Sequence, residues 1–171
     1  AGDNIVAIID PISTDANLKN IKELPLNKFD TALICTGDSE KIEIIEYLLK
    51  NKKHVLVEKP LGFSESQAAA VIAASQSTGR SLSVGFLLRF HSGVIKAKSM
   101  VASGAIGSLH RIQFIRHSTR KAPLQGDVIE ALAVHAIDTV CSVQGEVEPQ
   151  RLHISRLVTG QQSNPIQASM W

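Results

Sequence analysis

Two side chains in this sequence have the type and setting to hold charge on an oxygen or to move a proton. Lys59 follows the apolar run HVLVE at 54–58 and precedes Pro60. An ammonium placed there leaves the carboxyl end of a buried strand, the edge at which open parallel sheets bind ligands. Pro60 would fix the turn, through a cis bond, and aim the cation into a cleft. His135 lies in VHAIDTV, with Asp138 one helical turn further on. Its imidazole titrates near neutrality and can take up and return a hydroxyl proton. The plainer alternatives are a surface lysine after a strand, and a histidine and aspartate that cap or pair within a packed helix. No metal is expected, because no third ligand has suitable spacing.

Composition narrows the classes of protein. The 171 residues are 44% hydrophobic and 20% charged, enough for one well-buried domain or two small lobes. Eighteen Lys+Arg against 16 Asp+Glu leave a net charge of +2, too close to neutral for a nucleic-acid footprint. No apolar run reaches the roughly 18 residues of a membrane helix, and the first residues have no signal-peptide pattern. Cys35 and Cys141 each sit inside an apolar run, so two buried, inert thiols in a reducing compartment are expected. A cytoplasmic protein with a small-molecule partner, and with neither nucleic acid nor membrane, is the resulting expectation.

The elements that must position these residues alternate in the first half. Residues 5–9 (IVAII) and 31–36 (TALICT) read as strands buried on both faces. A helix over 39–51 puts Ile42, Ile45, Leu48 and Leu49 on one face, and 54–58 is the next strand. Ser64 with Gln67 forms a capping-box signature ahead of a helix over 65–78, which Gly79 ends, and 81–86 (SLSVGF) is a further strand. This alternation predicts a parallel α/β sheet with right-handed crossovers. The second half reads differently: a helix over 93–103, a half-wet strand over 108–117, a helix over 127–143 and a half-exposed strand over 151–158. It predicts an α+β lobe with an antiparallel sheet, followed beyond Gly160 by a polar, disordered tail.

The segments KKHVLVEKP (52–60), LGFS (61–64), VGFLLRF (84–90) and SGAIG (103–107) occur in an order that resembles the Gfo/Idh/MocA family of nicotinamide-dependent oxidoreductases. The resemblance covers most of residues 4–157. It implies a partial Rossmann-type dinucleotide-binding domain over 1–88 and a partial α+β substrate and oligomerisation domain over 89–171. It also implies NAD or NADP as cofactor, a sugar, cyclitol or related polyol as substrate, and a homo-oligomer. On this resemblance Lys59 bonds the reacting hydroxyl and holds negative charge on its oxygen as hydride leaves for the nicotinamide, with His135 as acid and base. Cofactor contacts fall to Asp10, Thr36, Gly37, Glu58, Lys59 and Pro60. Glu58 positions Lys59 or faces the nicotinamide. Asp10 either takes the ribose hydroxyls, which favours NAD, or is only the Asp-Pro turn that ends a strand. Arg89 contacts substrate or anchors the interdomain hinge, and Asp138 lies on the substrate side.

The sequence also departs from the family. Ala131 stands one turn before His135, where the family carries aspartate. Glu130 is rotated by roughly 100° around the helix and Asp127 is two turns away, so neither replaces it. The first strand of the fold and its glycine-rich loop, G-x-G-x-x-G, are absent from these 171 residues, and the chain reads as part of a longer one. Two functions follow: an oxidoreductase acting on CH–OH groups, in which Lys59 and His135 open on one substrate pocket, or a non-catalytic relative serving as a binding or assembly subunit. His110, His117 and His153 are explained as solvated sheet positions, and Lys50, Lys52 and Lys53 as a solvated helix end.

Overall fold

The computed structural model describes residues 4–37, 40–62, 64–115 and 133–145, and the backbone of 152–156 and 166–170. The chain divides into two compact units, Ala1–Gly85 and Phe86–Trp171.

The first unit is built on three parallel strands in the order β1 (Thr31–Ile34), β2 (His54–Val57), β3 (Leu82–Val84). Helices α1 (Lys41–Lys50) and α2 (Glu65–Thr78) connect them. Because the strands are laid down in one direction, right-handed crossovers bring both helices to the same face. Ile34, Val55 and Val57 of the sheet meet Ile45, Leu48 and Leu49 of α1 and Val71 of α2 in one buried core.

Local chemistry sets the helix ends. Ser64 Oγ accepts the Gln67 amide at the start of α2, and Gly79 closes it with φ +66°. α1 ends in a Schellman-type closure, in which Lys52 donates to Leu49 O and Lys53 to Leu48 O. Lys52 takes the left-handed φ of +57° that this closure requires.

The second unit contains a 3-10 turn at Leu87–Phe90, α3 (Ser92–Ala102) and α4 (Val134–Gln144), which pack on one another. Strands β4 (Leu152–Arg156) and β5 (Ile166–Met170) pair antiparallel.

The structure corrects several expectations. Residues 5–9 form no strand: apart from one parallel bridge, Ile9 to Leu18, they run unpaired among the described residues, with Ile5 79% exposed. A β-branched run becomes a strand only beside another backbone. The sheet is buried on one face, not two, since Leu33 and Leu56 remain 66% and 40% exposed. Residues 108–115 are irregular despite their alternation, while 116–117 lie outside the described residues. The tail beyond Gly160 contains β5. Cys35 is exposed and Cys141 half-buried, both as free thiols.

This packing gives a direct expectation. Leu49→Ala, in the core, should lower the unfolding free energy by about 2–5 kcal/mol, and exposed Leu33→Ala should change it by less than about 0.5 kcal/mol. Urea unfolding measures both.

Candidate functional site at the carboxyl edge of the sheet

Apart from Asp10, the candidate residues of the first unit gather where its strands end. The ladder runs one residue past the strands on both sides of β2: Glu58 donates to Ile34 O at 3.0 Å, and Gly85 donates to Val57 O at 2.8 Å. The turns after β1, β2 and β3 therefore lie side by side at one edge. Cys35, Thr36 and Gly37 follow β1 and are exposed. Glu58 is exposed, and Lys59 and Pro60 are half-buried, joined by a cis peptide bond. The Glu58 carboxylate lies against Gly85, 3.5 Å from the place a Cβ would occupy.

What holds this turn is a residue the sequence reading passed over. Lys41 is 2% exposed, and its Nζ donates to Glu58 O at 3.1 Å and to Pro60 O at 3.0 Å. The buried face of α1 is Lys41, Ile45, Leu48 and Leu49, so the lysine occupies the first position of an otherwise apolar stripe. That i, i+4, i+7, i+8 spacing was the available signal: an ammonium on the core face of a helix must find oxygen acceptors. Just beyond, Gly62 passes so close that a Cβ would stand 3.3 Å from both Ile42 Cδ1 and Gln67 Cβ.

Asp10 serves its own turn. Its Oδ1 accepts the Ile12 amide at 2.8 Å and the Ser13 amide at 2.9 Å. The Ser13 amide first, and the Ile12 amide next, hold its carboxyl below the ordinary carboxylate value. Lys19 Nζ braces the same loop by donating to Asp10 O and Ser13 O.

In the second unit, His135, Asp138 and Thr139 share one buried face of α4. Thr139 Oγ1 donates to the His135 carbonyl at 2.7 Å. Arg89 and Asp138 are brought together: Arg89 Nε donates to Oδ1 and Oδ2 at 2.9 and 3.1 Å, and Nη2 to Oδ1 at 2.6 Å. This fork binds the Leu87–Phe90 turn to α4, and the Phe86 ring lies 5.6 Å from the guanidinium carbon. Lys59 belongs to the first unit and His135 to the second. Ala131, Asp127, Glu130 and His117 lie outside the described residues, as does the His153 side chain; His110 is exposed. Among the described residues no group of three His, Cys, Asp or Glu side chains is placed to hold a metal, and no helix is long and apolar enough to cross a membrane.

A family model described as the oxidoreductase family with an NAD-binding Rossmann fold matches residues 5–86. Those residues belong to the Gfo/Idh/MocA family. Over 122 residues, 68% of this chain, the sequence is 27% identical to the myo-inositol 2-dehydrogenase of Thermotoga maritima. Over 83 residues, 48% of this chain, it is 36% identical to the inositol 2-dehydrogenase of Rubrobacter xylanophilus. These matches span 36% and 24% of the two relatives, so the matched segments correspond to about a third or less of their length. The fold superimposes on a probable dehydrogenase from Thermotoga maritima with a TM-score of 0.69 at 24% identity, covering 79% of this chain and 42% of that one. The parallel sheet is thus a Gfo/Idh/MocA Rossmann-type sheet, and its carboxyl edge fits a dinucleotide in one respect visible here. Gly37 has open space where a Cβ would stand, which lets a ligand approach its backbone.

Two measurements test these assignments. Asp10 has a lowered folded pKa, so its contribution to stability is present above the unfolded value of about 3.9 and is lost as pH falls through the folded value. The stability difference between the wild type and Asp10→Ala should shrink as the solution is acidified through that range, followed by urea unfolding at each pH. Arg89→Met, which strands a buried carboxylate, should cost about 1.5–3 kcal/mol. Adding Asp138→Leu should cost less than the sum of the two single changes in a double-mutant cycle.

Proposed function

We propose that the protein is an NAD(P)-dependent oxidoreductase acting on a CH–OH carbon of a cyclitol or sugar. The observation that carries this reading is the carboxyl edge of the sheet. There Lys59 leaves a buried parallel strand between the turns that carry Gly37 and Gly85, inside the segment matched by an NAD-binding family. The relatives from Thermotoga maritima and Rubrobacter xylanophilus are named for inositol, which supports a cyclitol as the first substrate class to examine.

Thr36, Gly37, Glu58, Lys59 and Pro60 are the residues proposed to hold the dinucleotide. Asp10 is the candidate for the ribose hydroxyls through Oδ2, its Oδ1 being engaged by Ile12 and Ser13. The bound nicotinamide supplies hydride acceptance and return. Lys59 donates a hydrogen bond to the reacting hydroxyl oxygen and holds the negative charge that grows there. His135 takes the hydroxyl proton in oxidation and returns it in reduction. Arg89 and Asp138 act on substrate indirectly, as a pair that fixes α4. The protein works as a homo-oligomer in the cytoplasm; the free thiols of Cys35 and Cys141 support a reducing compartment.

NAD⁺ in large excess over its Kd should raise the Tm of the whole protein by several degrees, and more than NADP⁺ does. Lys59→Met and His135→Asn should each lower kcat on the active polyol by at least about a hundredfold, with the NAD⁺-dependent rise in Tm retained in His135→Asn. A protein whose Tm responds to neither dinucleotide would remove the cofactor from this reading.

A further inference from the structure

We propose that Lys41 is a positioning residue for Lys59, a role that rests on the reading of Lys59 as the charge-holding group. The two carbonyls that Lys41 Nζ engages, Glu58 O and Pro60 O, belong to the residues on either side of Lys59. The backbone that launches the Lys59 side chain is therefore gripped before and after its Cα by one ammonium. Three further contacts confine the same turn: the Glu58 amide on Ile34 O, the Glu58 carboxylate against Gly85, and the passage of Gly62 against Ile42 and Gln67.

Solvation is a poor explanation for a lysine in this place. It is 2% exposed, and it sits in the first turn of α1, where the helix dipole disfavours a cation. A leucine would continue the stripe formed by Ile45, Leu48 and Leu49. What lysine supplies and leucine cannot is a donor shared by two backbone carbonyls, Glu58 O and Pro60 O. A group that must stabilise an oxyanion loses its effect when its direction drifts, so rigidity in this turn acts on the transition state more than on binding.

The test compares the wild type, Lys41→Met and Lys41→Arg in the whole protein. Amide exchange is read by NMR at Glu58 and at Val55 in the middle of β2, and kcat and KM are measured with NAD⁺ and a cyclitol panel. In Lys41→Met, Glu58 exchange should accelerate at least about tenfold while Val55 changes by less than about threefold. kcat should fall at least about tenfold with KM within about threefold, and Lys41→Arg should recover part of both losses. A purely structural lysine would accelerate Glu58 and Val55 together, and that result overturns the proposal. So does a Lys41→Met variant with the exchange of the wild type. If no variant folds, acetic anhydride labelling of the wild type decides: Lys41 should acetylate at least about tenfold more slowly than exposed Lys50, as expected of a group held by internal opening, and equal rates overturn the proposal. If even the wild type turns over no polyol with dinucleotide, the proposed function fails, while the exchange comparison still decides the role of Lys41.

Discussion

A buried ammonium has to be met by oxygen, and at Lys41 this requirement ties the start of one helix to the end of one strand. α1 is placed by its apolar face: Ile45, Leu48 and Leu49 enter the core against Ile34, Val55 and Val57. With that face seated, the residue one turn before Ile45 projects towards the carboxyl edge, where the carbonyls of Glu58 and Pro60 wait. Packing thus chooses the register and polar satisfaction locks it. The turn that carries Lys59 is bonded to α1 through both neighbouring residues.

The same sheet explains why chemistry collects at one edge. Within the ladder the amides and carbonyls that face a neighbouring strand are taken by it. Past the last bonds, Glu58 to Ile34 and Gly85 to Val57, the ladder ends, and the carbonyls of Glu58 and Pro60 find Lys41 instead of a strand. Parallel strands end together, so the turns after β1, β2 and β3 lie side by side at the edge where such sheets bind ligands. An antiparallel sheet would place alternate turns at opposite edges.

In the second unit, the buried polar face of α4 divides its labour. Asp138 is spent on Arg89, whose guanidinium grips both carboxylate oxygens and so pins the preceding 3-10 turn. Both oxygens of this carboxylate are engaged by one guanidinium. His135, three positions earlier on the same buried face, gives its backbone carbonyl to Thr139 Oγ1.

Sequence alone determined whatever depends on neighbours along the chain. The α2 helix was readable because Ser64 caps it and Gly79 ends it within its own few residues. Strands β1, β2 and β3 were readable as short apolar runs between turn residues, and their alternation with helices implied a parallel sheet. The Lys59–Pro60 turn was readable for the same local reason. Tertiary structure decided whatever depends on a partner distant in the chain. Residues 5–9 have strand composition but, among the described residues, only the single bridge to Leu18, because strand formation needs a second backbone alongside. Leu33 and Leu56 are as apolar as their neighbours yet lie on the face that the right-handed crossovers leave without α1 or α2. Lys41 carried only the faint sign of a charge on an apolar stripe, since its meaning comes from carbonyls 17 and 19 residues away. Arg89 and Asp138 pair across 49 residues, a separation at which neither spacing nor residue type identifies a partner. Hydrogen bonds between remote groups are chosen by packing, and packing exists only once the chain has folded.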